Sequence, residues 1–350
     1  MYLFVGTYTM TVPHVTGKSD GVQVYWFDGD SRKLRFASKF MGVDNPSYLT
    51  LHPNGRFLFT ANEATSDGGA GLVSAFVVDG DQLIWLNSQP ATGAAPCYVS
   101  TNGRFLFAAN YGGGSVAVYP IDKNGRLQPA SHHIQHHGHG PNPDRQEAPH
   151  AHCILPTPDG RFILAVDLGI DQVAAYRLTN DGQLEPAATI ATSPGSGPRH
   201  LIFHPNGRFA YLLHELTPTL TAYAYEPDGL ILRPLQTVTT VPADYRGENY
   251  GADLHLEPNG HFLYTSNRGH DSLARFACDP ASGLLTPLGH TPTGGKFPRG
   301  FAIAPNGRFL LAANQNSDNI TLFQLDSTNG QLTPISQTAC ATPVCLKFQP

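Results

Sequence analysis

Apolar and polar positions along this chain alternate in short bursts, and the bursts come in pairs. Residues 197–216, GPRHLIFHPNGRFAYLLHEL, show the unit: two apolar stretches of strand length flank an Asn-Gly. Short apolar runs joined at Asn-Gly are the pattern of a β-hairpin. The pattern returns as HPNGRF (52–57), TNGRF (101–105), TPDGRF (157–162), HPNGRF (204–209), EPNGHF (257–262) and APNGRF (304–309). Their glycines, Gly55, Gly103, Gly160, Gly207, Gly260 and Gly307, are 48, 57, 47, 53 and 47 residues apart. Asn-Gly and Asp-Gly supply positive φ, which predicts a two-residue turn at each site. A period near 40–50 residues with four strands per unit marks a β-propeller. In one unit the strands read SYLTLHP, RFLFTAN, GLVSAFVVD and QLIWLNSQ, the first innermost.

A second marker gives the count. A leucine in a short polar-apolar stretch occurs seven times, as RKLRF, DQLIW, NGRLQP, DGQLEP, DGLILRP, SGLLTP and NGQLTP. The seventh hairpin lies across the ends: CLKFQP matches LIFHP, and YLFVGTY matches RFAYLLHE. The prediction is an all-β, seven-bladed propeller occupying 1–350 as a single domain. The N-terminal strand joins the last blade, so no sheet edge stays open.

That topology explains why ionisable residues stand at both open ends of the hairpin. The turn joins the first two strands on one rim. The start of the first strand and the end of the second then meet on the opposite rim, around the central channel. The turn rim repeats one Asn-Gly-Arg theme. The other rim varies and carries polar groups, which places the chemistry there. It offers Asn45, Glu63, Tyr111, His150, His152, Asp167, Arg199, His200, His214, Glu215, Asp253, His255, Arg268, Arg299 and Gln315, with Thr7 and Tyr8 from the N-terminal strand. Asn62, Asn110, Asn267 and Asn314 share one repeat position and read as caps. Tyr48 and Tyr98 read as packing residues, and His52 and His204 as turn residues. Arg199, Arg268 and Arg299 come from neighbouring blades and keep their charge. Buried, they need an anion, supplied by Glu215 and Asp253 or by a ligand.

Composition narrows the function. Charged residues make up 14%, with 36 glycines and 29 prolines, which suits many short strands joined by turns. The net charge of -5, with no basic run, excludes nucleic acid and anionic membrane as partners. No apolar run approaches the roughly 20 residues of a bilayer span. MYLFVGTYTM has no cationic start and reads as a strand, not a signal peptide. The five cysteines include no CxxC pair, which fits buried thiols in the cytoplasm. Nothing in the sequence sets an oligomeric state.

The stretch SHHIQHHGHGPNPDRQEAPHAH (131–152) holds seven of the sixteen histidines and predicts a long loop over about 131–149. Two readings stand: a metal site, or a lid with only His150 and His152 turned inward. There is no HExxH and no Cys/His metal spacing. No cofactor is expected, and a metal stays open.

GPRHLIFHPNGRFAYLLHEL, the PHAH at 149–152, ADLHLEPNGHFLYTSNR (252–268) and FPRGFAIAPNGRFLLAANQ (297–315) resemble the seven-bladed lactonase family. That family includes the propeller type of 6-phosphogluconolactonase and, more distantly, the fungal carboxy-muconate cyclase. The resemblance covers essentially the whole chain. It implies hydrolysis of an anionic sugar lactone, 6-phosphoglucono-1,5-lactone, in the oxidative pentose phosphate pathway. The positions carried over are His152, Arg199, His200, Glu215, Asp253, His255, Arg268, Arg299 and Gln315. The histidine-rich loop is an addition relative to the shorter enterobacterial form.

Lactone hydrolysis needs a base, an oxyanion stabiliser and an anchor for the anion. His200 or His152 is the expected base, and Glu215 orients it or acts itself if burial raises its pKa. Arg199 is expected at the oxyanion, and Arg268 and Arg299 at the anionic tail. No GxSxG elbow is present, which argues against a serine route. Other readings use the same rim: a lactonase acting on a non-phosphorylated sugar lactone, a muconate-type cycloisomerase, and a non-catalytic ligand- or protein-binding propeller.

Overall fold

The computed structural model describes residues 1–64, 70–226, 228 and 230–349. Gly229 of the DGLILRP marker lies outside the described residues. The strands form seven four-stranded antiparallel sheets arranged as a propeller. Six sheets follow chain order. In the seventh, Pro343–Phe348 pairs with Tyr2–Thr7, which pairs with Val22–Asp28 and then Lys33–Phe40. The chain ends therefore close the ring between them. The only helical element among the described residues is a 3₁₀ turn at Gln315–Ser317, so none is long and apolar enough to cross a membrane.

The second strand of each complete hairpin begins at the phenylalanine of the turn motif. Every residue of Phe57–Asn62, Phe105–Asn110, Phe162–Asp167, Phe209–His214, Phe262–Arg268 and Phe309–Asn314 is buried. These strands have blades on both faces, which explains their near-continuous apolar runs. Apolar clusters sit between neighbouring blades. Leu3, Val5, Tyr25 and Phe27 of the closing blade, for example, pack against Phe309, Leu311, Ile320 and Leu322 of its neighbour.

The TNGRF turn closes over two residues, Asn102 N–H meeting the Phe105 carbonyl at 3.3 Å, but the five turns that carry a proline differ from that expected form. Gly55, Gly160, Gly207, Gly260 and Gly307 each donate N–H to the carbonyl three residues back, at 2.8–2.9 Å. His52 N–H then closes onto the Phe57 carbonyl at 2.9 Å, so the loop has four residues. The cause is the proline. Pro53 fixes φ near −65°, which fits the second position of a type I turn and not the positive φ of type I′. Gly55 follows at φ 69°. The arginine after the glycine lies over the next ring, at 5.6 Å for Arg56 on Phe57 and 5.3 Å for Arg208 on Phe209.

The opposite rim is shaped by a β-bulge near the start of every innermost strand. Pro46, Pro96, Pro198 and Pro298 each pair with the last residue of the neighbouring strand, and the next pairing skips one residue. The skipped residues are Ser47, Cys97, Arg199 and Arg299. His152 is skipped in the same way between Ala151 and Cys153. A bulge leaves its extra residue unpaired and re-aims its side chain. Four of these five bulge residues line the cavity described below.

The histidine-rich stretch is shorter as a loop than expected. His132–Gln135 is the outermost strand of its blade, paired with Ser115–Pro120. The loop proper begins at His136. That blade needs a fourth strand, and the alternating burial of His132–Gln135 supplies it.

Candidate active site

A cavity of about 420 Å³ opens on the bulged rim, lined by His14, Glu63, Cys97, Tyr111, Arg145, His152, Arg199, Glu215, Tyr250, Arg268, Phe297 and Arg299. This lies in the range of small-ligand pockets, about 300–1,000 Å³. Much of its wall comes from two repeat positions: the bulge residue (Cys97, His152, Arg199, Arg299) and the residue ending or following the second strand (Glu63, Tyr111, Glu215, Arg268). The expected caps sit between them. Asn62, Asn110, Asn267 and Asn314 donate side-chain N–H to the carbonyls of Asp44, Ala91, Thr240 and Thr293.

Glu215 is the centre of the charge. Its carboxylate accepts from Arg199, from Arg268 at 2.9 Å, and from Arg145. Burial alone would push this carboxyl up, but Arg268, Arg199 and Arg145 together hold it well below the usual carboxylate range. This corrects the expectation that burial would raise Glu215 towards a base: three guanidinium groups outweigh the loss of water. Two of the arginines are fixed to backbone as well. Arg199 Nε donates to the Ala252 carbonyl at 2.7 Å, and Arg268 donates to Gly251 at 2.9 Å. Arg268 also lies 5.9 Å over Tyr250 and 5.3 Å over Phe297.

His152 Nε2 lies 2.7 Å from Arg199 Nη1. Arginine only donates, so His152 accepts there and is unprotonated at Nε2. Burial, then Arg199, holds its pKa well below the usual histidine range. His14, from the N-terminal loop, is pushed down to about 4 by burial and then by Arg299. Both imidazoles are uncharged at neutral pH. Tyr8 O–H donates to Glu63 Oε2 at 2.6 Å, and His14 Nε2 lies 3.6 Å from Glu63 Oε1. Among the described residues Arg299 makes no hydrogen bond or ion pair, and its guanidinium lies 5.5 Å over the Tyr8 ring. Four arginines thus face two carboxylates.

Of the residues expected from sequence, His152, Arg199, Glu215, Arg268 and Arg299 meet at this cavity. Three others lie deeper, in a relay beneath it. His200 Nδ1 is 3.1 Å from Asp253 Oδ1, and His255 Nε2 is 3.1 Å from Asp253 Oδ2. Burial would raise Asp253, and His255 and His200 hold it well below the usual range. His150 stands to one side. It stacks on Tyr111 at 4.5 Å, with its ring nitrogens facing the Tyr111 carbonyl and Glu147. Gln315 is buried but turned aside, donating to Asn316. Its strand end follows the same rule as Glu215, but here the chain turns into the 3₁₀ segment and carries the side chain away.

Sequence reasoning passed over Cys97, Arg145, His14, Tyr250 and Phe297. Cys97 had a signal, since it follows a strand-opening proline as Arg199 and Arg299 do. Arg145 had none, because only the folded loop brings it in. The thiols are all free and buried, and burial pushes Cys97 above the ordinary thiol range. Burial thus disfavours the Cys97 thiolate, the form a nucleophile needs. In the loop, His136 is consumed by Asp167 at 2.6 Å and Tyr176 at 2.8 Å. Among the described residues no group of three or more His, Cys, Asp or Glu is placed to hold a metal.

The buried histidines set a pH dependence. His200 and His214 are both pushed down to about 4, chiefly by burial. The unfolded chain protonates such residues near pH 6.5, so between 6.5 and 4 it binds more protons than the folded protein. Stability is then full above pH 6.5 and falls as the pH drops towards 4. A series of thermal melts is expected to show that decline, and His214→Gln should make it shallower. A flat melting temperature across the window would contradict it.

A polar, cationic cavity at the mouth of a seven-bladed propeller defines a small-molecule enzyme, not a scaffold with apolar anchors. The family model described as lactonase, 7-bladed beta-propeller matches residues 2–348. The chain belongs to that family of lactone hydrolases. It is 36% identical over 302 residues to the 6-phosphogluconolactonase of Bacillus subtilis, covering 85% of this chain and 83% of that one. It is 33% identical over 312 residues to the 6-phosphogluconolactonase of Formosa agariphila, covering 86% of each. The structure of the periplasmic gluconolactonase of Pseudomonas aeruginosa superposes with a TM-score of 0.93 at 38% identity, over 100% of this chain and 99% of that one.

Proposed function

We propose that this chain hydrolyses an anionic sugar δ-lactone, with 6-phosphoglucono-1,5-lactone as its substrate. The observation that carries this reading is the charge balance of the cavity. Four arginines meet two carboxylates, and among the described residues Arg299 makes no direct ion pair. A phosphate monoester carries about −1.5 to −2 at pH 7, which matches the surplus. The names of the Bacillus and Formosa relatives support the same substrate.

In the proposed mechanism, Glu63 is the base. Glu63 lines the cavity, its Oε2 accepts from Tyr8, its Oε1 lies 3.6 Å from His14 Nε2, and among the described residues no arginine makes an ion pair with it. His152 is less suited, because Arg199 occupies its lone pair and burial opposes its protonation. His200 lies a layer deeper. Glu63 takes a proton from water as the oxygen attacks the lactone carbonyl. Arg199, held in place by Glu215 and Ala252, stabilises the oxyanion. The ring C–O bond then breaks, Glu63 returns the proton to the leaving oxygen, and the new carboxyl ionises.

The gluconolactonase name of the Pseudomonas relative supports a second reading, in which the substrate is unphosphorylated. A panel of lactones separates the two, with spontaneous hydrolysis subtracted and with chelator present or absent. The expected result is a kcat/KM at least tenfold higher for the phosphorylated lactone, falling with added salt. Equal values on both substrates would favour the second reading. No turnover of either would overturn the hydrolase assignment.

A further inference from the structure

We propose that the loop from His136 to His150 serves to carry Arg145 into the cavity, and that Arg145 is the residue selecting a phosphorylated substrate. The inference rests on the reading of the site as a lactonase pocket. It adds a residue to the tail-binding role expected of Arg268 and Arg299, and assigns the selection to it.

The loop is pinned where it need not reach the ligand. Gln146 is fully buried: its Nε2 donates to the Leu168 carbonyl at 2.8 Å, and its Oε1 accepts from Asn142 N–H at 3.2 Å. Its backbone accepts from Gly140 N–H and donates to the Asn142 carbonyl. At the loop's start, His136 is locked between Asp167 and Tyr176. The residue beside Gln146 is the one that projects into the pocket. Arg145 reaches Glu215, the Tyr111 hydroxyl at 3.3 Å and the face of Tyr250 at 5.8 Å.

Three features separate Arg145 from Arg199 and Arg268. Its side chain is 33% exposed, against 4% and 5%. Among the described residues its side chain makes no hydrogen bond to backbone, whereas those of both others do. Glu215 does not need it, because Arg199 and Arg268 already share Oε2 and leave Arg145 on Oε1. Arg145 is thus a charged fork on a fixed base with a replaceable partner. A phosphate monoester offers a stronger bidentate acceptor than the single free oxygen of a carboxylate whose charge is already shared with two other cations.

The test uses Arg145→Ala and Gln146→Ala in the full chain. The readout is the ratio of kcat/KM on 6-phosphogluconolactone to that on gluconolactone, with inorganic phosphate binding measured by calorimetry. Arg145→Ala is expected to lower the ratio by ten- to a hundredfold, mainly through KM, and to weaken phosphate binding by a similar factor. Gln146→Ala should do the same to a smaller extent. An unchanged ratio, with both substrates falling equally through kcat, would overturn the proposal and leave Arg145 as a support for Glu215. If the wild type turns over neither lactone, the lactonase reading fails on its own. Equal phosphate affinity in wild type and Arg145→Ala then also sinks the role of the loop.

Discussion

Glu215→Gln should be the most damaging single substitution in this protein, for folding and for turnover together. The carboxylate is buried and accepts from Arg145, Arg199 and Arg268. Glutamine keeps the shape but removes the charge that lets two buried guanidinium groups stay buried. Removing one partner of a buried ion pair costs about 3–5 kcal/mol. Arg199 also loses the contact that aims it, and misplacing an oxyanion donor costs on the order of 10²–10³ in rate. The expected result is a clear fall in melting temperature with a fall in kcat/KM of that order. Adding Arg268→Met should recover part of the stability, because it removes one of the stranded charges, but not the rate. A Glu215→Gln protein that melts with the wild type would show that the three arginines do not depend on this carboxylate.

Glu63→Gln should behave differently, losing rate without losing the fold. Glu63 accepts from the neutral Tyr8 hydroxyl, and no arginine lies within ion-pair distance. A missing general base costs about 10²–10⁴ in rate. The loss should fall on kcat, with KM for the phosphorylated lactone little changed, since the cationic groups that hold the tail remain. Glu63→Ala leaves space at the same point, so added formate should restore part of its turnover. Retention of kcat within threefold by Glu63→Gln would remove Glu63 from the chemistry and return the role to His152.

The contrast between these two carboxylates shows how far the sequence can be read. Both stand at the same repeat position, one residue past a buried strand, and the repeat alone puts both on the rim. What separates them is the company each keeps across blades. Glu215 is drawn down in pKa by arginines from its own blade, the next blade and the histidine-rich loop. Glu63 meets a tyrosine and a histidine from the N-terminal segment. Those partners are 16–70 positions away along the chain, so no local pattern announces them. Arg145 is the extreme case. It sits among prolines, an asparagine and acids with nothing to mark it, and the loop fold alone delivers it.

The sequence by itself determined the number of blades, the closure of the ring by its two ends, and the rim on which the polar groups gather. Those follow from local chemistry repeated along the chain: apolar runs that need two covered faces, and a glycine that permits positive φ at each of six turns. The tertiary structure decided the rest. The prolines turned the hairpin loops into four-residue type I turns, and the bulges aimed Cys97, His152, Arg199 and Arg299 inward. The packing of blades chose which acid is clamped and which stays open. Charge and burial act through space, and their balance at Glu215, Glu63 and Arg299 exists only once distant segments share one cavity.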